Sequence, residues 1–288
     1  MRGIKRRVAV CCALAMAVAL GAVGAAQAIN ANSTVSFNFT KVPAGTIGTT
    51  LKQGKLNVHT HTNYSVAGTK TTRARLFFDK NFSFSPSAVP KCPTASVSGN
   101  ITMKQAMTAC GTKLVGTGTA QANLSSPGDV NGCVLVFNAQ DGNPSVAGNQ
   151  PGILLFTRLQ VPGTISCASP ASNQNGNGSI LLQAPLATNP ASTTPGGALP
   201  AAYYQGGKWL DFNNIPQTLP LSDFNVQTGK GAPGTNLTGT KGDFIKAKCT
   251  SRTGLGTPAK KLVMRTLFTY NSGTPNTQVV NSKTGACT

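Results

Sequence analysis

Apolar and polar residues alternate one at a time along many short segments of this chain, and glycine, proline or asparagine breaks nearly every gap between them. In Lys55 to Thr62, the residues Leu56, Val58, Thr60 and Thr62 fall on one face, while Asn57, His59 and His61 fall on the other. Phe37 and Phe39 alternate with Ser36, Asn38 and Thr40 in the same way. A period of two belongs to the β-strand, whose successive side chains point to opposite faces. Further segments of this kind run over 72–78, 113–123, 133–138, 153–161, 180–186, 219–228, 244–250, 261–270 and 277–281. After residue 28 a helical pattern occurs only over Ile101 to Ala109, with Asn100 as its expected N-cap and Gly111 just past its end. The expected fold is therefore all-β: a single disulfide-braced β-sandwich over 29–288, Ig-like or jelly-roll-like, with one short helix near 100–110. The stretch 187–207, rich in Pro, Gly, Ala and Thr, is expected to be a long surface loop of that domain.

The first 28 residues have the layout of an export signal. Arg2, Lys5, Arg6 and Arg7 form a basic start, Val8 to Ala26 is apolar, and Ala26-Gln27-Ala28 supplies the small-x-small cleavage pattern. Cleavage predicts a secreted protein, extracellular or at the cell surface, with no membrane span left in the mature chain. Removing the signal takes four of the 25 basic residues and none of the six acidic ones, which leaves 21 against six, a net charge of about +15. Most of the remaining cations are lysines, which act as mobile point charges where arginine grips bidentately. The expected partners are anionic cell-envelope polymers or lipid headgroups, held by diffuse attraction, with no specific nucleic-acid recognition.

Beyond the signal the cysteines are Cys92, Cys110, Cys133, Cys167, Cys249 and Cys287, an even set that predicts disulfides in an exported protein. Six cysteines allow fifteen connectivities. Proximity favours Cys92–Cys110, Cys133–Cys167 and Cys249–Cys287, each contributing roughly 3–4 kcal/mol by loop entropy. No C-x-x-C pair occurs, so a zinc ribbon or a thioredoxin-like redox site has no support.

Chemistry is narrowed by what the chain lacks. It contains no glutamate, and its acids are Asp79, Asp129, Asp141, Asp211, Asp223 and Asp243; its histidines are His59 and His61. These residue types carry out most acid–base and hydrolytic metal chemistry. His59-Thr60-His61 has metal-ligand spacing, because residues i and i+2 of a strand share a face, but a third ligand must come from a distant aspartate. No G-x-S-x-G elbow is present, and paired cysteines leave no thiolate nucleophile. A glycosidase needs two carboxyl groups flanking the scissile bond, for which Asp211 and Asp223, near Trp209, are the candidates. Gly116-Thr117-Gly118 lacks the third glycine of a phosphate loop and reads as a glycine-thinned strand. Trp209 with Tyr203 and Tyr204 forms an aromatic group, read as core or loop packing with sugar stacking as the alternative.

The segment Val89-Pro90-Lys91-Cys92, then Ala109-Cys110-Gly111-Thr112-Lys113-Leu114-Val115-Gly116-Thr117-Gly118-Thr119-Ala120, resembles a group of secreted actinobacterial β-rich proteins. Those carry a "PKC", a short helical insert, a second cysteine and a VGTGTA-type strand. Val134–Ala139, Ile215–Gly231 and the stretch from Phe244 through Cys249 and Tyr270 to Cys287 follow the same order. Gly111 replaces the proline usual after the second cysteine, and the 187–207 stretch is longer. The resemblance implies secretion, a β-rich fold and sequential disulfides, and it carries no assigned activity, cofactor or active site.

Taken together, these features lead to the expectation of a non-catalytic binding or structural protein at or outside the envelope, with no cofactor. The alternatives are a secreted polysaccharide hydrolase using aspartates, and a carrier of an apolar ligand between the sheets.

Overall fold

The computed structural model describes residues 30–123, 130–140, 150–160, 178–189, 198–216, 220–253, 260–273 and 275–284, together with 167, 218 and 255. Thirteen strands dominate: β1 (Ala31–Lys41), β2 (Lys52–Tyr64), β3 (Thr71–Phe78), β4 (Phe82–Phe84), β5 (Leu114–Ala122), β6 (Val130–Ala139), β7 (Gly152–Gln160), β8 (Gly178–Thr188), β9 (Lys208–Phe212), β10 (Leu221–Gly229), β11 (Ile245–Ala247), β12 (Val263–Tyr270) and β13 (Thr277–Lys283). Among the described residues one α-helix, α1 (Met103–Cys110), precedes β5. The alternation seen in the sequence becomes the burial pattern: Phe37 and Phe39 on β1 and Leu56 and Val58 on β2 are buried, while Asn38 on β1 is exposed and Asn57 on β2 is half-buried.

The strands pair antiparallel along one path, β13-β12-β3-β9-β8-β7-β6-β5-β10-β2-β11-β4, and β1 also pairs with β2. Side chains join β1 to the β13 end of the path. Gln278 of β13 accepts from the Ser33 N–H of β1 at 2.7 Å and donates to Asn32 Oδ1 at 2.9 Å. Next to it the Ser33 hydroxyl lies 2.7 Å from both the Thr62 and the Tyr270 hydroxyls, all three buried. Inward-facing residues of the joined strands, Phe37 on β1 and Met264 on β12 among them, accordingly share one apolar core.

Part of the outer face is buried as well. The segment from Cys92 to Lys113, including α1, lies over β6 and β7, so Leu135 and Phe156 pack against Met103 and Ala106 in a second cluster. Cys92–Cys110 closes this segment, and Cys133–Cys167 ties β6 to the chain beyond β7. Cys249 is also in a disulfide, and its expected partner Cys287 lies outside the described residues. The helix starts later than the sequence suggests, with Thr102 and not Asn100 as the N-cap. The Thr102 hydroxyl accepts from the Gln105 N–H, and the Gln105 side chain accepts from the Thr102 N–H, a reciprocal capping box. Asn100 accepts from Arg158 at 2.7 Å.

Two strands fall outside the expected segments, β4 and β9. The described part of 187–207 also departs from a plain surface loop: Ala187 and Thr188 extend β8, and Leu199, Tyr203 and Tyr204 are buried against Phe77 and Val263 on the outer face. Gly116 and Gly118 face the core opposite Thr228 and Val226 on β10. A Cβ at Gly118 would lie 2.1 Å from the Asn225 carbonyl oxygen, so close approach of β5 and β10 excludes a side chain there. Among the described residues no helix is long and apolar enough to cross a membrane; the segment expected to be an export signal lies outside them.

Candidate functional site

Strands β1, β2 and β10 share one end, and lysines gather there. Lys41 ends β1, Lys52 opens β2, Lys230 follows β10, and Lys246 lies on β11, which pairs with the start of β2. These four line a concavity of about 340 Å³ together with Val42, Gln53 and Asp243. Gln53 organises its floor: its amide nitrogen donates to Asp243 Oδ1 at 2.8 Å, and its carbonyl oxygen accepts from Lys230 Nζ at 2.7 Å. Lys246 Nζ lies 3.4 Å from the same Asp243 oxygen. The Gln53 hydrogen bond, with Lys246 and Lys230 beside it, holds the Asp243 carboxyl below the usual carboxylate range against the opposing effect of burial. Four lysines against one aspartate leave the concavity with three uncompensated positive charges. Lysines here can hold phosphate or carboxylate groups as point charges, without the fixed geometry an arginine fork imposes.

The two histidines lie elsewhere, mid-strand on the outer face of β2. A bulge at Ser222 shifts the register of β10, so that Leu221 turns inward with Ala122 while Asp223 faces outward with Gln121. Asp223 is then directly opposite His61, and its Oδ2 lies 2.8 Å from His59 Nε2 and 3.4 Å from His61 Nδ1. The distant aspartate that the His59–His61 spacing requires is thus present, but it is taken up by a hydrogen bond with His59 and an ion-pair contact with His61. Among the described residues no group of three or more His, Cys, Asp or Glu is arranged to hold a metal ion. Around the trio the face is neutral and polar: Asn57, Asn225 and Gln227 present amide oxygens that are buried without a hydrogen-bond partner.

Asp211 and Asp223 do not come together. Four strands, β8, β7, β6 and β5, separate β9 from β10 in the path. Asp211 is held by Arg73, whose Nε donates to Oδ1 at 2.8 Å. Asp79 is fully buried and bonds Arg252, so each of the four described aspartates has its own basic partner. Asp129 and Asp141 lie outside the described residues. Trp209 stacks on Phe77, centroids 5.5 Å apart and planes at 11°, and Tyr203 and Tyr204 are buried beneath Arg252 and Arg265. The aromatic group packs the outer face.

The core inside the strand path contains a cavity of about 120 Å³. Val58, Ala74, Leu155, Leu182, Phe212 and Phe224 contribute to its wall, one from each of six strands. Neither the concavity nor the cavity is visible as a sequence motif, since each draws on strands far apart in the chain. The lysine excess was the signal for the first; nothing in the spacing signals the second.

No family model matches the chain, and no curated protein or solved structure matches it either.

Proposed function

We propose that this is an exported, non-catalytic binding protein that holds anionic components of the cell envelope, polymer phosphates and carboxylates or lipid headgroups, at the lysine-lined concavity. The observation carrying this reading is the gathering of Lys41, Lys52, Lys230 and Lys246 around a single aspartate. Binding through lysines at an open site is weak and strongly salt-dependent, because exposed charges are screened over about 10 Å at 0.1 M ionic strength. The resemblance to secreted β-rich actinobacterial proteins agrees with an extracellular site of action. The separation of Asp211 from Asp223 removes that particular pair as support for the hydrolase alternative.

The test is binding of the oxidised mature protein to purified anionic wall polymer, and to vesicles with and without an anionic lipid, at low and high salt. Retention at low salt that falls severalfold in Lys41→Gln/Lys52→Gln supports the proposal. Retention that is indifferent to salt, or to this double substitution, contradicts it.

A further inference from the structure

We infer that the interior cavity is a binding site for a compact, uncharged apolar molecule, distinct from the anion-binding concavity. Thr60, Ala74 and Phe224 face inward from the middle of β2, β3 and β10, where core residues are normally sealed, yet each is only half-buried. The cavity surface reaches them. Four of the polar residues on the wall, Thr60, Thr62, Thr71 and Thr228, are threonines, and the hydroxyls of Thr62 and Thr71 already bond Ser33 and Tyr64. Asp223 also borders the cavity, but its carboxylate is engaged by His59 and His61. The wall therefore offers no cation for an acid, and its one carboxylate is already paired with imidazoles on the outer face. Volume sets the size of the ligand. A cavity of about 120 Å³ is somewhat smaller than the roughly 150 Å³ engineered apolar cavity that takes up benzene. The occupant is thus a single small ring or a short branched hydrocarbon, not a long acyl chain.

Benzene, phenol, benzoate and palmitate serve as probes, added to the oxidised mature chain. Thermal unfolding and the methyl NMR shifts of Val58, Leu155 and Leu182 provide the readouts. Benzene and phenol are expected to raise the melting temperature and shift those methyls, and benzoate and palmitate to do neither. Ala74→Leu, which grows into the cavity, is expected to weaken benzene binding at least tenfold in a folded protein. Leu155→Phe does the same from another strand. Benzene affinity unchanged in either folded variant overturns the inference, as do wild-type methyl shifts that bypass Val58, Leu155 and Leu182. Tighter binding of benzoate or palmitate than of benzene overturns the ligand class. Loss of anionic polymer binding in Lys41→Gln/Lys52→Gln with benzene uptake intact separates this site from the proposed envelope function.

Discussion

One carboxylate oxygen of Asp223 serves both imidazoles of the His59-Thr60-His61 segment, at 2.8 Å to His59 Nε2 and 3.4 Å to His61 Nδ1. The contact joins residues 164 positions apart, and it exists because β10 pairs with β2 in a register that sets Asp223 opposite His61. Both histidine side chains remain substantially exposed, at 39% and 55%. Exposed ion pairs contribute about 0.2–1 kcal/mol. A double-mutant cycle with His59→Ala and Asp223→Ala, read by urea unfolding, is expected to give a coupling inside that range. A coupling of several kcal/mol would mean the trio is more than a surface pair.

The side-chain seam between β1 and β12–β13 makes a second prediction, in alkali. Burial pushes the Tyr270 hydroxyl up to about 12, although the Ser33 hydrogen bond opposes the shift. Its unfolded counterpart titrates near 10. Between those values the unfolded chain releases its proton first, so Tyr270 contributes stability that is intact below pH 10 and declines as pH rises toward 12. Tyr270→Phe removes both the titration and the bond to Ser33. It is expected to cost about 1–2 kcal/mol at pH 7 and to flatten the stability profile between pH 10 and 12. An unchanged alkaline slope in the variant would remove Tyr270 as its source.

Gly118 supplies a steric test. A Cβ there would lie 2.1 Å from the Asn225 carbonyl oxygen and 2.7 Å from Val226 Cα, both backbone atoms that cannot move without displacing β10. Gly118→Ala is expected to destabilise by about 3 kcal/mol or more, in line with overpacking of a closed core. Gly48 has nothing within 4 Å, so Gly48→Ala is the control and is expected to be near neutral. Equal melting temperatures for the two variants would show that β5 and β10 can separate at little cost.

Local patterning made the strand content readable, and it made the faces of β1 and β2 readable as well. Lys55 to Thr62 alternates strictly, and so does its burial through Val58. The helix was readable except for its start, where the Thr102–Gln105 capping box outcompetes Asn100, the earlier polar residue. Strand β9 was obscured because only five residues follow Gly206-Gly207, too few for alternation to register beside three aromatics. The candidate sites were not readable for a different reason. Lys41 and Lys246 meet through the β2–β11 pairing, and the cavity exists only once β1 has met β13. Register and closure are set by contacts hundreds of residues apart, and no window of sequence contains them.

Asp79 and Asp243 are expected to respond to acid with opposite signs. Asp79 is fully buried, and desolvation pushes its carboxyl above the usual value despite the bond from Arg252 at 2.6 Å and those from the Asn81 and Val263 N–H groups. A raised folded value means that the native state binds the proton more readily, so the contribution of Asp79 to stability grows as pH falls through its folded value toward 3.8. Asp243 is held below 3.8, so its contribution is present above that value and is lost as pH falls further. In unfolding profiles between pH 7 and 2, Asp243→Asn is expected to remove part of the loss at the acid end. Arg252→Met is expected to cost about 3–5 kcal/mol at pH 7, because it strands a buried carboxylate. That cost is expected to shrink on acidification, as protonation removes the unpaired charge. An Arg252→Met penalty that is the same at pH 7 and pH 4 would show that Arg252 acts through its packing on Tyr203, 4.9 Å from the ring centroid, and not through the charge of Asp79.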